Sequence, residues 1–321
     1  MISKIIKSIF TISPYFEVIL RSLYWNFTIF HKLGQRLKAT NTGNKKVIEG
    51  VFESLKKSIY NLDIKKGDIL IVHSSMDGLS TASNNPNDFI DLLLELVGDE
   101  GTLVMPAYTP FEIKKNGNEL IQWDDRDNYE PLIYNYRRPI CWTGMIPSMF
   151  LRYKGVERSK FPVNSLAARG AHASDMMKNN LNTDLAHGKN SAWAYCIENE
   201  AKILFLGVPS HHSLTCVHYV EDILDEKWLV KDWYKKQKYF ITDGKNETEI
   251  IVRQKKLKWA KYSTELYSDK VLKKRGLIIE DISSGIHIEF IKSSKLLCQY
   301  LIDGVKNGNM QYYKIPKKYY K

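Results

Sequence analysis

Three short apolar runs alternate with helix-patterned stretches, and that alternation leaves few folds open. The runs are Gly67-Asp68-Ile69-Leu70-Ile71-Val72-His73-Ser74-Ser75, Gly101-Thr102-Leu103-Val104-Met105-Pro106 and Ile203-Leu204-Phe205-Leu206-Gly207-Val208. Their length and aliphatic content suit buried strands. Between the first two, residues 87–97 place Phe89, Leu92, Leu93, Leu96 and Val97 on one face of a helix. A further helix is expected near 47–60. Strands alternating with amphipathic helices predict a layered α/β sheet. Tyr239-Phe240-Ile241-Thr242 and Glu249-Ile250-Ile251-Val252 flank Asp243-Gly244, which predicts a hairpin over 236–252.

Of 321 residues, 44% are hydrophobic and 26% charged, which fits a folded chain of one large domain or two modest ones. The net charge of +11 is unevenly placed. Residues 1–60 carry ten basic and three acidic groups, and residues 227–321 carry 22 and ten. The middle, 61–226, has 15 basic and 23 acidic groups. The motifs lie in this acidic middle, so the basic ends do not read as a nucleic-acid site. An acidic centre suits a cationic substrate such as an amine; the plainer reading is that lysines keep the ends solvated. Cys141, Cys196, Cys216 and Cys298 show no paired short spacing, which argues against a disulfide scaffold or a zinc ribbon.

The front of the chain is distinct. Residues 5–30 are apolar but interrupted by Pro14, Glu17 and Arg21, so neither a transmembrane helix nor a signal peptide is expected. After Pro14, the residues Phe16, Ile19, Leu20, Leu23, Tyr24, Phe27 and Phe30 mark one face of a helix, with Lys4, Lys7, Arg21, Lys32, Arg36 and Lys38 around it. Such a helix can pack on its own domain, serve a homodimer, or lie on an anionic membrane surface through residues 1–38. Residues 39–46 read as a linker. The expected division is a basic amphipathic extension, 1–46, and a main domain, 47–321.

Three strings can carry chemistry. Val72-His73-Ser74-Ser75 ends a strand at the sheet edge where open α/β sheets bind phosphate-bearing ligands, or it is an ordinary turn. Residues 155–165 contain Arg158, Ser159, Lys160, Asn164 and Ser165, either an anion-binding loop or a solvated connection. Thr215-Cys216-Val217-His218-Tyr219-Val220-Glu221 puts His218 and Glu221 three residues apart, on one face if helical. A carboxylate beside an imidazole can fix its tautomer for general-base work, or the pair is structural. A metal at His211 and His212 is discounted, because no carboxylate or cysteine stands at zincin-like spacing.

Taken together, these strings resemble the aminoglycoside 3-N-acetyltransferase (antibiotic N-acetyltransferase) family. The likeness runs from about residue 47 to 226 and continues faintly to about 305. It is carried by Val72-His73-Ser74-Ser75, by residues 101–106 and by Gly144-Met145-Ile146-Pro147. Then follow Arg158-Ser159 with Pro162 and Ser165, Ala167-Ala168, Gly170, Gly188 with Ser191, residues 206–208, and Thr215 with His218 and Glu221. The resemblance implies a three-layer α/β/α sandwich with a mixed central sheet, acetyl-CoA as donor, an amine as acceptor and no metal. It places Ser74 and Ser75 against the pantetheine–pyrophosphate part of CoA, with Arg158, Ser159 and Ser165 along the same cleft. His218 becomes the general base, Glu221 its orienting acid, and Thr215 a neighbour of the thioester. Cys216 is expected to be a buried, inert thiol rather than a nucleophile.

Departures bear on the acceptor. Ser148 replaces a carboxylate often found after Ile-Pro, Phe161 stands for a histidine, and Leu166 for a phenylalanine. Tyr108 and Glu112, with the acidic residues Glu119, Asp124, Asp125 and Asp127, are expected either in the acceptor wall or in a solvated acidic loop; Asp184 and His187 are reserve candidates for a substrate contact. With the basic front segment, these departures point to acetylation of an amino sugar in bacterial surface polysaccharide biosynthesis, in the cytoplasm at the inner face of the membrane. The alternatives are aminoglycoside acetylation conferring antibiotic resistance, O-acetyl transfer to a sugar hydroxyl, and a non-enzymatic basic binding protein.

Overall fold

The computed structural model describes residues 11–26, 46–113, 120–121 and 131–321. Helix α1 (Pro14–Asn26) precedes the main domain. The strands are β1 (Ile69–Ser74), β2 (Thr102–Pro106), β3 (Phe111–Ile113), β4 (Leu120–Ile121), β5 (Leu132–Asn135) and β6 (Glu157–Arg158). They continue with β7 (Leu166–Gly170), β8 (Lys202–Leu206), β9 (Tyr234–Thr242), β10 (Glu247–Lys255), β11 (Ile279–Asp281) and β12 (Ile288–Ile291). A seven-stranded sheet runs in the order β11-β12-β8-β1-β2-β7-β6. Its centre, β8-β1-β2, is parallel; β7 on one side and β12 on the other pair antiparallel, so the sheet is mixed. A second sheet of five strands follows the order β10-β9-β5-β3-β4.

Side-chain alternation along β1 explains the layering. Ile69 and Ile71 join one apolar cluster with Val104, Ile203 and Phe205. Leu70 and Val72 join another with Leu103, Met105, Leu204 and Leu206. Successive residues of a strand face opposite sides, so both faces of the central sheet are buried. The first cluster takes residues from α5 (Ala192–Glu198), α6 (His218–Leu224), α7 (Glu265–Lys274) and α8 (Ser294–Lys306). The second takes them from α2 (Val51–Tyr60), α3 (Pro86–Val97) and α4 (Met145–Phe150). The start of α3 is written in its sequence: the Asn85 side chain accepts a hydrogen bond from Asn87 N at 3.1 Å, and Pro86 opens the first turn. The expected α/β fold around a mixed sheet holds, and the hairpin forms as β9 and β10.

β1 lies between β2 and β8, so the chain leaves its carboxyl end toward opposite sides of the sheet. A crevice outside the strands is expected at such a point. Here backbone closes it immediately above the strands. A Cβ on Gly78 would meet Gly207 O at 2.0 Å, so Gly78 serves close packing of two turns rather than an anion. The open space lies farther out, between the loops after β2 and β8 and the second sheet.

The front segment needs a correction. Helix α1 begins at Pro14 as expected and rests on the main domain, but through its polar side. Glu17 is fully buried, whereas Phe16 and Ile19 of the expected packing face are exposed. Phe27, Phe30, Lys4, Lys7, Lys32, Arg36, Lys38 and residues 39–45 of the linker lie outside the described residues, as do Glu119, Asp124, Asp125 and Asp127. Among the described residues, no helix is long and apolar enough to cross a membrane.

Candidate active site

A cavity of about 360 Å³ opens between the carboxyl edge of the central sheet and the β9–β10 hairpin. This is the size range of small-molecule sites. Tyr108 and Thr109 line it from the segment after β2, residues 210–215 and Val217 from the loop after β8, and His218 from the helix that follows. Tyr239, Arg253, Gln254 and Lys255 form the hairpin wall.

His218 is the first residue of α6, immediately after the turn Thr215–Val217. Its Nδ1 lies 2.9 Å from Glu221 Oε1. Donation from Nδ1–H leaves Nε2 as the basic nitrogen. Glu221 is held on every side: Trp233 Nε1 donates to Oε2 at 2.9 Å, and the Tyr313 hydroxyl donates to Oε1. Burial alone would raise this carboxyl. Lys255 and His218, with hydrogen bonds from His218 and Tyr313, outweigh burial and hold it down at about 2. Glu221 is therefore a fixed anion that orients His218.

A second histidine–acid pair adjoins the first. The His187 ring centroid is 5.6 Å from that of His218, and its Nδ1 is 3.4 Å from Asp222 Oδ2. Burial pushes the imidazole below its ordinary value against the opposing pull of Asp222. Its Nε2 is buried without a hydrogen-bond partner. Asp222 also accepts from His187 N and from the Tyr234 hydroxyl, each at 2.9 Å. Across the cavity, the Tyr108 hydroxyl donates to Thr215 Oγ1 at 3.0 Å, and Thr215 Oγ1 donates to Ser213 O. Trp142 packs edge-on against Tyr108, and its buried Nε1 has no partner.

The structure thus gathers Tyr108, His187, Thr215, His218 and Glu221 at one cavity. Other expected residues stand elsewhere. Arg158 donates to the carbonyls of Ala107, Arg138 and Ile140. Ser165 Oγ donates to Ala107 O at 2.8 Å, and Ser159 Oγ accepts from Phe161 N and Asn180 Nδ2. These three polar side chains are engaged inside the protein, where they fasten the segment before β7, and none of them lines this cavity. Glu112 pairs with Arg138 on the second sheet, away from the cavity lining. Asp184 binds Arg253 through two hydrogen bonds, and Asp225 does the same from the other side, so Asp184 steadies the hairpin wall. Ser74 and Ser75 sit at the end of β1, outside the cavity lining; Ser74 Oγ is buried and unpartnered. Cys216 is buried, as expected of an inert thiol. His211 and His212 line the cavity with ring centroids 4.3 Å apart.

Trp233, Tyr313 and Lys255 escaped the sequence reading. The end of the chain reads as a solvated Lys/Tyr tail, yet Tyr312 and Tyr313 are buried, and Tyr313 reaches Glu221. The usable signal was aromatic density: Trp228, Trp233 and Trp259 stack into one group with Tyr313. Elsewhere, Glu280, His287 and Glu289 approach one another among the described residues. Lys273 Nζ lies 2.7 Å from Glu289 and 3.7 Å from Glu280, so an ammonium already fills the space between these carboxylates.

The sequence profile of the aminoglycoside 3-N-acetyltransferases matches residues 71–284, a span that contains most of β1, strands β2 to β11, Thr215, His218 and Glu221. The chain belongs to this family. Among its relatives, aminoglycoside N(3)-acetyltransferase IX of Micromonospora chalcea is 26% identical over 182 residues, covering 53% of this chain and 61% of that protein. The SPbeta prophage-derived aminoglycoside N(3')-acetyltransferase-like protein YokD of Bacillus subtilis is 30% identical over 188 residues, covering 55% and 68%. The match to the first of these relatives thus spans less than two thirds of its length. Two solved structures share the fold. Aminoglycoside acetyltransferase AAC(3)-Xa superposes with a TM-score of 0.65 at 18% identity, covering 80% of this chain and 92% of its own. AAC-IIIb, solved in binary form with CoASH, gives 0.64 at 18% identity, covering 83% and 98%.

Proposed function

We propose that residues 47–321 form one catalytic unit, a three-layer α/β/α sandwich behind the extension 1–46, and that it moves an acetyl group from acetyl-CoA to a sugar amine. The observation that carries this reading is the His218–Glu221 pair on the cavity wall, inside the segment that matches the family. An ammonium is no nucleophile, so a base must first take its proton; His218 Nε2 is placed for that. The free amine then attacks the thioester carbonyl, the C–N bond forms and the C–S bond breaks; the proton that the new amide nitrogen sheds goes to the departing sulfur, which leaves as CoA thiol, and His218 returns the first proton to solvent. Donors are needed for the oxygen that becomes negative. Thr215 Oγ1, which also donates to Ser213 O, and the buried, unpartnered Trp142 Nε1 are the nearby side-chain candidates. His187, beside His218 on the cavity wall, would contact the acceptor. Ser74 and Ser75, at the sheet edge, would meet the pantetheine arm.

The acceptor is an aminoglycoside-type amino sugar. The names of the curated relatives support this, as do solved relatives titled with apramycin and with sisomicin. One observation favours a second reading, a bacterial surface amino sugar that carries its own anion. Lys235, Arg253 and Lys255 stand on the cavity wall beside Glu221, Asp222 and Glu265, a lining of both signs that suits an acceptor bearing an anion as well as an amine. Release of CoA thiol, followed with a panel of aminoglycosides and amino-sugar nucleotides, tests both. Turnover confined to aminoglycosides removes the second reading, turnover confined to the nucleotides removes the first, and no turnover with any amine removes the proposal.

A further inference from the structure

Helix α1 sits on the protein inverted relative to an ordinary surface helix. Its inward side is polar. The buried Glu17 carboxylate accepts from Leu266 N at 3.1 Å and Tyr267 N at 2.9 Å, capping the first turn of α7. Arg21 joins Glu17 at 3.1 Å to Glu265 at 2.6 Å. The apolar side faces out: Tyr15 is 66% exposed, Phe16 48% and Ile19 55%, with Ile12 at 65% just before the helix. Residues 15, 16 and 19 share one side of a helix, opposite 17 and 21. Polar anchors, not apolar packing, therefore hold α1, and among the described residues its apolar side is left largely uncovered. A contiguous exposed apolar patch marks a contact surface.

Charge identifies what covers it. Residues 1–46 contain eight basic side chains and one acidic, Glu17. Glu17 and Arg21 are engaged with each other and with α7, which leaves seven basic groups and no carboxylate in the segment. Lys270 adds another positive charge beside it, its ammonium donating to Thr11 O. A second copy would bring these like charges together, whereas an anionic bilayer is complementary to them. Tyrosine and phenylalanine among the exposed side chains suit the boundary between headgroups and acyl chains. We infer that the Ile12–Tyr15–Phe16–Ile19 face is a docking surface for an anionic lipid bilayer, with α1 lying in the plane of the membrane. Because Arg21 binds Glu265, which lines the cavity, docking also sets the cavity beside the lipid surface.

The test is sedimentation of the full chain with vesicles of phosphatidylglycerol and phosphatidylcholine, against vesicles of phosphatidylcholine alone, with Phe16→Glu/Ile19→Glu as the variant. Both side chains are exposed and neither joins an apolar core cluster, so the melting temperature of the variant should match the parent and confirm that it folds. The expected result is binding to the anionic vesicles that weakens with salt and falls at least ten-fold in the variant. Absence of binding to anionic vesicles overturns the inference, and so does equal binding by parent and variant. A dimer in sedimentation equilibrium that the variant dissociates, without vesicle binding, assigns the face to a second copy and also overturns it.

Discussion

Glu221 Oε1 lies 2.9 Å from His218 Nδ1, one helical turn along α6, and the same carboxylate is also held by Trp233 and Tyr313. The orientation of the imidazole thereby depends on a tyrosine 92 positions away in sequence from the carboxylate it grips.

Replacing Glu221 with glutamine keeps the shape and removes the charge. Turnover should fall about 10- to 100-fold, within the usual range for disturbing a general base. The variant should also respond differently to acid. Glu221 sits near 2 when folded, below its ordinary value, so its contribution to stability is complete above about pH 4.5 and fades as pH falls toward 2. Denaturant unfolding across that window should show a shallower loss for Glu221→Gln than for the parent. Parallel curves would refute the anion's role.

His73 offers a second pH test outside the catalytic groups. It stacks on Phe205 at 4.8 Å and 11°, and burial drives its imidazole down to about 3. The unfolded chain binds the proton more readily, so stability is complete above about pH 6.5 and declines toward pH 3. His73→Phe should flatten the melting temperature between those limits. An unchanged slope would show that His73 does not set it.

Lys255 is the leading charge that holds Glu221 down, with its Nζ 4.0 Å from Oε1 and 2.9 Å from the Tyr313 hydroxyl. In Lys255→Met the carboxyl should rise. Acid unfolding of this variant should then lose less stability between about pH 4.5 and 2 than the parent does, because less of the carboxyl's depression remains. An acid-unfolding profile that matches the parent's would exclude this coupling.

The layered fold was legible in the sequence because its strands are local: 69–72, 103–105 and 203–206 each announce burial within a few residues. The His218–Glu221 pair was legible for the same reason, since spacing within one helix is a local property. Tyr313 and Lys255 were not, because their roles arise only when β10 and the chain's end fold over α6. Arg158 was harder to place: an arginine in a polar string suggests an anion, whereas in the fold its donors go to the backbone carbonyls of Ala107, Arg138 and Ile140. Helix α1 showed its amphipathic pattern in sequence but not its orientation, which is set by the cap that Glu17 gives to a helix some 250 residues away.

That cap yields a stability prediction. Glu17→Ala leaves Leu266 N and Tyr267 N without their acceptor and removes one of the two carboxylates that hold Arg21, at a cost of about 1–3 kcal/mol. Urea unfolding should show a lower midpoint at an unchanged slope. An unaltered midpoint would mean that α1 contributes nothing to the fold.

The most direct test is the rate of CoA thiol release by His218→Ala, measured beside its CoA affinity by calorimetry. Turnover on a sugar amine should fall by about 100-fold or more while the affinity for CoA stays within about two-fold of the parent, because the imidazole removes a proton and does not hold the donor. Undiminished turnover in this variant would contradict the assignment of His218 as the base.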